Sequence, residues 1–193
     1  MNSFFRCPLC GAPLERGERC YTCPGGHSYD RSAEGYVHLL PANQKNSKNP
    51  GDDKQMVAAR CAFLDKGYYA PLRDALSDLA LRLTAHIPSP VLFDSGCGEG
   101  YYTSGLFQAL SNAGKTPQVT GISKFAVRRA AKRLKSGEFA VASAYHLPIE
   151  DGCVHLLTNI FSPLCVQEFS RVLVPGGHFL YVVPSERHLW QMK

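Results

Sequence analysis

The chain has 193 residues, 45% of them hydrophobic, enough for one domain with a sizeable core or one domain with a small appendage. A net charge of +5 is compatible with an anionic partner without requiring one. No apolar run reaches the roughly 18–20 residues of a membrane span, and the opening MNSFFRCPLC lacks the apolar centre of a signal peptide, which together predict a cytoplasmic protein without a membrane partner.

Eight cysteines in a reducing compartment read as metal ligands or buried thiols rather than disulfides. The first 35 residues hold four of them at ligand spacing. Cys7-Pro8-Leu9-Cys10 is a tight turn that can offer two thiolates to one ion, and Cys20-Tyr21-Thr22-Cys23-Pro24-Gly25-Gly26-His27 follows. Two sets of ligands satisfy the spacing: Cys7, Cys10, Cys20 and Cys23, or Cys7, Cys10, Cys23 and His27. Both suit tetrahedral zinc, and a set closed by protein ligands makes the metal structural. So short a segment with few large side chains is expected to need that staple.

Tyr29 to Pro41 ends in an apolar run, expected to form a strand against the metal module. Asn43 to Asp53 is polar, contains Pro50-Gly51 and reads as an exposed loop, where Lys45 and Lys48 are solvated side chains or phosphate contacts. Lys54 to Lys66 and Tyr69 to His86 read as helices; in the second, Leu72, Ala75, Leu76, Leu79 and Leu83 share one face. Tyr68 and Tyr69 between them are packing residues unless a ligand lies nearby.

Val91 to Gly105 (VLFDSGCGEGYYTSG) is a short apolar run, an acid at Asp94, glycines at 96, 98 and 100, and a helix from about Tyr101 to Ala109. Such glycines bare the backbone so that amides at the helix start can meet polar ligand atoms. Strands are then predicted at Gln118–Ser123, Glu138–Ser143, Val154–Phe161 and His178–Val183, with helices at Lys124–Lys135 and Gln167–Leu173 and a turn at Val174–Gly177. Arg128, Arg129, Lys132, Arg133 and Lys135 give the first of these helices a basic outer face. Alternating strands and helices predict a parallel sheet with its ligand site beyond the carboxyl ends of the strands, where Gly96 to Gly100 sits beside strands two and four.

The Asp94-x-Gly96-x-Gly98-x-Gly100 loop resembles the cofactor loop of S-adenosylmethionine-dependent methyltransferases. Taken with CPLCGAPL, EGYVHLLP, PGDDKQMVAARCAFLDKGYYAPLRDAL, DSGCGEGYYT and LVPGGH, most of the chain resembles the 23S rRNA guanine-N1 methyltransferases. The resemblance implies an α/β fold: a Rossmann-like class I methyltransferase parallel sheet, stopping after strand five because the chain ends at Lys193, with a small N-terminal zinc-binding domain. The expected division is 1–35 for the zinc module, 36–87 for connecting loop and helices, and 88–193 for the methyltransferase part.

The implied activity is methyl transfer from S-adenosylmethionine to N1 of a guanine in a 23S rRNA hairpin, by a homodimer whose zinc modules shape an RNA cleft. The resemblance also implies structural zinc on Cys7, Cys10, Cys23 and His27, and cofactor contacts at Tyr69, Gly96, Gly98, Glu99 and His188. At the end of strand two the family carries an acid for the cofactor ribose; here Gly121-Ile122-Ser123-Lys124 offers Ser123, a weaker substitute, and reduced affinity is expected. No general base is identified; Asn159 to Pro163 at the end of strand four, the edge expected to face the target, is the stretch where it is expected. The competing reading is a non-catalytic zinc-containing RNA-binding protein with a degenerate cofactor pocket. A third is a methyltransferase acting on small molecules or proteins.

Overall fold

The computed structural model describes residues 2–41, 54–123 and 126–187. The expected loop with Lys45 and Lys48, the residue Lys124 and the expected cofactor contact His188 lie outside them.

The centre is a six-stranded sheet. Its strands are β5 (Tyr36–His38), β6 (Val91–Ser95), β7 (Gln118–Ile122), β8 (Glu138–Val141), β9 (Val154–Ile160) and β10 (Leu173–Val182), in the spatial order β10-β9-β6-β7-β8-β5. Every pairing is parallel. All five residues of β6 are buried, as a strand covered on both faces must be, which is why Val91-Leu92-Phe93 reads as an unbroken apolar run. Five helices accompany the strands among the described residues: α1 (Lys54–Asp65), α2 (Ala70–Leu83), α3 (Tyr101–Asn112), α4 (Val127–Arg133) and α5 (Val166–Val172). From β6 the chain builds outward through β7 and β8, then returns to β9 on the other side of β6. The switch point therefore falls at the end of β6.

Alternation along β6 sends neighbouring side chains to different cores. Leu92 joins Leu76, Ala80, Leu106, Leu110 and Ala130 beneath α2, α3 and α4. Phe93 joins Phe169 and Val172 of α5, and also Phe5, Leu14 and Tyr21 of the N-terminal module. That module is an antiparallel ribbon of β1 (Asn2–Arg6), β2 (Pro13–Arg16), β3 (Cys20–Thr22) and β4 (Ser28–Asp30). It shares the layer that α5 occupies. Backbone bonds from Arg6 N–H to Pro148 O (2.9 Å) and Glu150 N–H to Phe4 O (3.0 Å) join it to the segment after β8. Phe5 and Tyr21 are fully buried, so the module has an apolar anchor as well as its cysteines, which the sequence reading did not anticipate.

The run 36–41 differs from expectation. It touches the ribbon through one bridge, Arg31 to Val37, but its ladder is with β8, Val37 opposite Ala140. Val37 is fully buried there, so the sheet edge hides its side chain and pairs its backbone together. The expected turn at 174–177 is absorbed into β10: pairing steps from Leu173 opposite Val154 to His178 opposite Leu156, with Gly176 at φ +77° supplying the kink. The basic face of α4 is engaged internally, since Arg128 and Lys132 approach Glu34 and Arg133 pairs with Asp65 at 2.9 Å.

Candidate active site and metal centre

The ribbon's two turns bring four ligating atoms together. In the first, Cys7 N–H bonds to Ala12 O (2.8 Å) and Gly11 N–H to Cys7 O (2.8 Å); in the second, Cys23 N–H bonds to His27 O (3.1 Å) and Gly26 N–H to Cys23 O (3.0 Å). Cys7, Cys10, Cys23 and His27 then hold their ligand atoms within 4.8 Å of one another. Cys20 stands outside this group, opposite Asp30 in the β3–β4 ladder. A tetrahedral ion with bonds of about 2.3 Å to sulfur and 2.0–2.1 Å to nitrogen requires S···S near ~3.8 Å and S···N near ~3.5 Å. The ribbon has Cys10 Sγ to Cys23 Sγ at 3.7 Å, and His27 Nδ1 at 3.5 Å from Cys7 Sγ and 3.4 Å from Cys23 Sγ. The donor set fits zinc. Burial raises the Cys7 thiol, but a 3.0 Å contact with the Tyr29 hydroxyl and backbone amides outweigh it and bring the thiol down to about 6, favouring the thiolate a metal needs.

At the switch point the backbone folds back on itself. Gly96 and Cys97 both donate N–H to Ile122 O, at 3.1 and 2.9 Å. Gly96 (φ +90°), Gly98 (φ +54°) and Gly100 (φ +79°) all take the left-handed conformation that glycine adopts without strain. Gly100 caps α3, and a methyl group there would meet Ala130 Cα at 3.0 Å, so the third glycine lets α4 pack close. Gly98 has open space where a side chain would be, facing a cavity of about 450 Å³.

Tyr69, Gly96, Gly98 and Glu99 all line that cavity, together with Asp94 and Phe161. Glu99 is 3% exposed and its Oε1 has no hydrogen-bond partner among the described residues, an acceptor held ready inside the cleft. Asp94 is fully enclosed. Desolvation pushes its carboxyl up to about 6, against the pull of hydrogen bonds from Thr103 and Thr158. Tyr69 immediately precedes α2 and meets Phe161 edge-on, ring centres 6.3 Å apart. The cavity has the bared amides and the unpaired buried acceptor that suit the amino-acid end of a nucleoside–amino acid cofactor.

Several lining residues were not singled out from the sequence, among them Arg60 and Phe63 of α1 and Tyr102 of α3. The signal available for α1 was the helical spacing of Arg60, Phe63 and Leu64, which puts them on one face.

A second cavity of about 210 Å³ lies on the other side of Gly96, lined by Ile122, Ser123, Ser143, Tyr145 and Ser162 among others. Ser123, expected to replace an acid, lies there; its Oγ also accepts the Ala126 N–H (3.3 Å) before α4, so the hydroxyl has a local duty as well. At the end of β9, Asn159 is fully buried, and its Nδ2 donates to Pro163 O at 2.8 Å. Phe161 N–H bonds to Val182 O (3.0 Å). Its φ of +54° is the one positive value among described non-glycine residues, a conformation that costs roughly 1–2 kcal/mol. No residue from Asn159 to Pro163 carries an ionisable side chain.

Comparison with known proteins agrees with this architecture. Residues 5–48 match the family described as "RlmA, N-terminal", a zinc ribbon, and residues 93–181 match "Methyltransferase domain". The chain is 36% identical over 190 residues to the 23S rRNA (guanine(748)-N(1))-methyltransferase of Streptomyces fradiae, covering 98% of this chain and 66% of that protein. It is 35% identical over 204 residues to a candidate 23S rRNA (guanine-N(1)-)-methyltransferase of Micromonospora griseorubida, covering 97% of this chain and 68% of that one. A similarly named protein of Bacillus subtilis is 32% identical over 196 residues, covering 99% and 68%. The chain thus spans about two thirds of these relatives' length.

Among solved structures, a candidate S-adenosyl-L-methionine-dependent methyltransferase of Methanococcus maripaludis superposes with a TM-score of 0.53 at 19% identity, over 70% of this chain and 66% of that one. DesVI of Streptomyces venezuelae does so with a TM-score of 0.53 at 16% identity, over 71% and 61%. These share the fold, that of class I S-adenosylmethionine-dependent methyltransferases. The relatives' names and the methyltransferase match leave the non-catalytic reading unfavoured. With a ribbon whose donors fit zinc at one end and this cofactor fold at the other, the chain belongs to the 23S rRNA (guanine-N1)-methyltransferase family.

Proposed function

We propose that the protein transfers a methyl group from S-adenosylmethionine to N1 of a guanine in a 23S rRNA hairpin. The observation that carries this reading is the cleft at the end of β6, lined by the Gly98 backbone, Glu99 with its unpartnered Oε1, and the rings of Tyr69 and Phe161. The cofactor supplies a methyl group on a positively charged sulfur. Tyr69, Gly96, Gly98, Glu99 and His188 hold it. Asp94 and Glu99 set two carboxyl groups against the single Arg60 in the described lining of the cleft, and the Asp94 carboxyl, tied to Thr103 and Thr158, keeps the end of β6 rigid.

The half-exposed ring of Phe161 at the mouth of the cleft offers a face for an unstacked base. Guanine N1 holds a proton at neutral pH, which must pass to water or a nearby acceptor as the N1–methyl bond forms and the sulfur–methyl bond breaks; the chain's main contribution is to align N1 with the donor. Such alignment supplies several kcal/mol of barrier reduction, on the order of ~7. Cys7, Cys10, Cys23 and His27 hold structural zinc, and the ribbon over residues 1–35 helps shape the RNA surface. Residues 36–87 connect it to the methyltransferase part over 88–193. The protein works in the cytoplasm as a homodimer. No described helix is long and apolar enough to cross a membrane.

The test is incubation with undermodified 23S rRNA and methyl-labelled S-adenosylmethionine, followed by mapping of the modified nucleotide. Label on N1 of one hairpin guanine is the expected result. Label on another atom, or on no RNA while the protein still binds the cofactor, would overturn the reading.

A further inference from the structure

The two cavities at the switch point share a single lining residue, Gly96. What separates them is the side chain of Ser162. A β-carbon built on Gly96 would collide with Ser162 Oγ and come within 2.5 Å of Ser162 Cβ, so the serine fills the space that the glycine leaves bare. On one side lie Tyr69, Asp94, Gly98 and Glu99, on the other Ile122, Ser123 and the segment Ala142–Tyr145. A ligand reaching from Ser123 to Tyr69 must cross Gly96, and the crossing is closed.

We propose that Ser162 is a ligand-selecting partition: a nucleoside bearing an amino-acid arm binds only once the Phe161–Pro163 turn lifts Ser162 off Gly96, whereas a bare nucleoside enters the smaller cavity with the turn in place. This rests on the methyltransferase reading above. The turn is built to have a second position. Phe161 sits at φ +54°, a conformation that L side chains rarely adopt and that movement of the turn would release. Its ring is 43% exposed and leans on Tyr69 edge-on, and a swing would have to give up the bond from Phe161 N–H to Val182 O. One side-chain bond, Asn159 Nδ2 to Pro163 O, tethers the turn from beneath, and the same Asn159 keeps a buried Oδ1 without a partner among the described residues. That oxygen can accept an N–H from the displaced turn. Because the Phe161 ring rides on the same turn, arrival of the long ligand also resets the wall against which a target base would stack.

The test uses the full chain, with S-adenosylhomocysteine and adenosine as probes, by stopped-flow association and calorimetry. Ser162→Gly should speed S-adenosylhomocysteine association about tenfold, as when an open form populated about one part in ten becomes the resting form, and change adenosine association much less. Ser162→Leu should abolish binding of the long ligand and, because Ser162 also lines the smaller cavity, weaken adenosine by a much smaller factor. Thermal melts verify folding, and if the leucine variant unfolds, the glycine variant decides. Equal S-adenosylhomocysteine kinetics in wild type and Ser162→Gly, or equal changes for both ligands, would overturn the partition and leave the methyltransferase reading standing. A wild-type protein that binds neither probe would overturn both.

Discussion

Asp94 is enclosed at the end of the central strand, where burial raises its carboxyl from 3.8 to about 6. A carboxyl raised in the folded state contributes stability that is fully present below pH 3.8 and lost as pH climbs through about 6. Asp94→Asn keeps the acceptor for Thr103 and removes the buried charge. Above pH 7 this variant should be more stable than wild type, by on the order of 1–3 kcal/mol, and the gain should vanish near pH 4. Urea unfolding at both pH values checks it; a pH-independent difference would assign the effect to packing. The glycines of the loop separate by their surroundings. Gly98→Ala meets open space and carries only the left-handed backbone penalty, about 1 kcal/mol. Gly96→Ala adds a collision with Ser162 and should unfold at lower temperature than Gly98→Ala in a direct comparison of melts. The spacing of these glycines was plain in the sequence. That each has a different neighbour, Ser162 for Gly96, nothing for Gly98 and Ala130 for Gly100, was not, because those neighbours come from the turn after β9 and from α4.

At the scale of elements, the ribbon illustrates what spacing can and cannot decide. Cys7, Cys10, Cys20, Cys23 and His27 all lie within reach of one ion along the chain. Strand pairing removes Cys20, which stands in the β3–β4 ladder, while the turn after Cys23 brings His27 round. Cys20→Ser should therefore retain stoichiometric zinc, and Cys23→Ser should lose it, as read by elemental analysis of purified protein. Equal metal content in the two variants would reject this ligand set. Chelation should release the Cys7–Cys10 and Cys23–His27 turns to thiol reagents. The strands between them keep an anchor that no cysteine spacing predicts, since Phe5, Leu14 and Tyr21 are buried against the large sheet.

Across the whole molecule, one core runs from the ribbon through Phe93 and Leu157 to Phe169 of α5. Arg171 ties this layer down: its guanidinium donates to Glu168, Asp151, Ile149 O and Leu147 O, fixing the segment onto which β1 docks. Arg171→Ala leaves those carbonyls and Glu168 without their donor and should cost about 2–3 kcal/mol. Because the ribbon and the sheet share this core, the zinc-loaded protein should melt in a single calorimetric transition, and Arg171→Ala should lower that one transition. Two resolved transitions in the wild type would show that the ribbon folds independently.

The sequence by itself determined the order of strands and helices from β6 onward, the glycine-bared turn after the first buried strand, and the presence of a Cys/His metal module. These rest on local periodicity, turn chemistry and ligand spacing, which the chain carries residue by residue. Only the tertiary structure decided that 36–38 pairs with β8, that Cys20 is held in a strand ladder away from the four ligand atoms the family resemblance implies, and that Ser162 stands over Gly96. Each of these is a contact between residues distant along the chain or separated by a turn, and such contacts exist only once burial and strand register have chosen one partner among several that the local sequence allows.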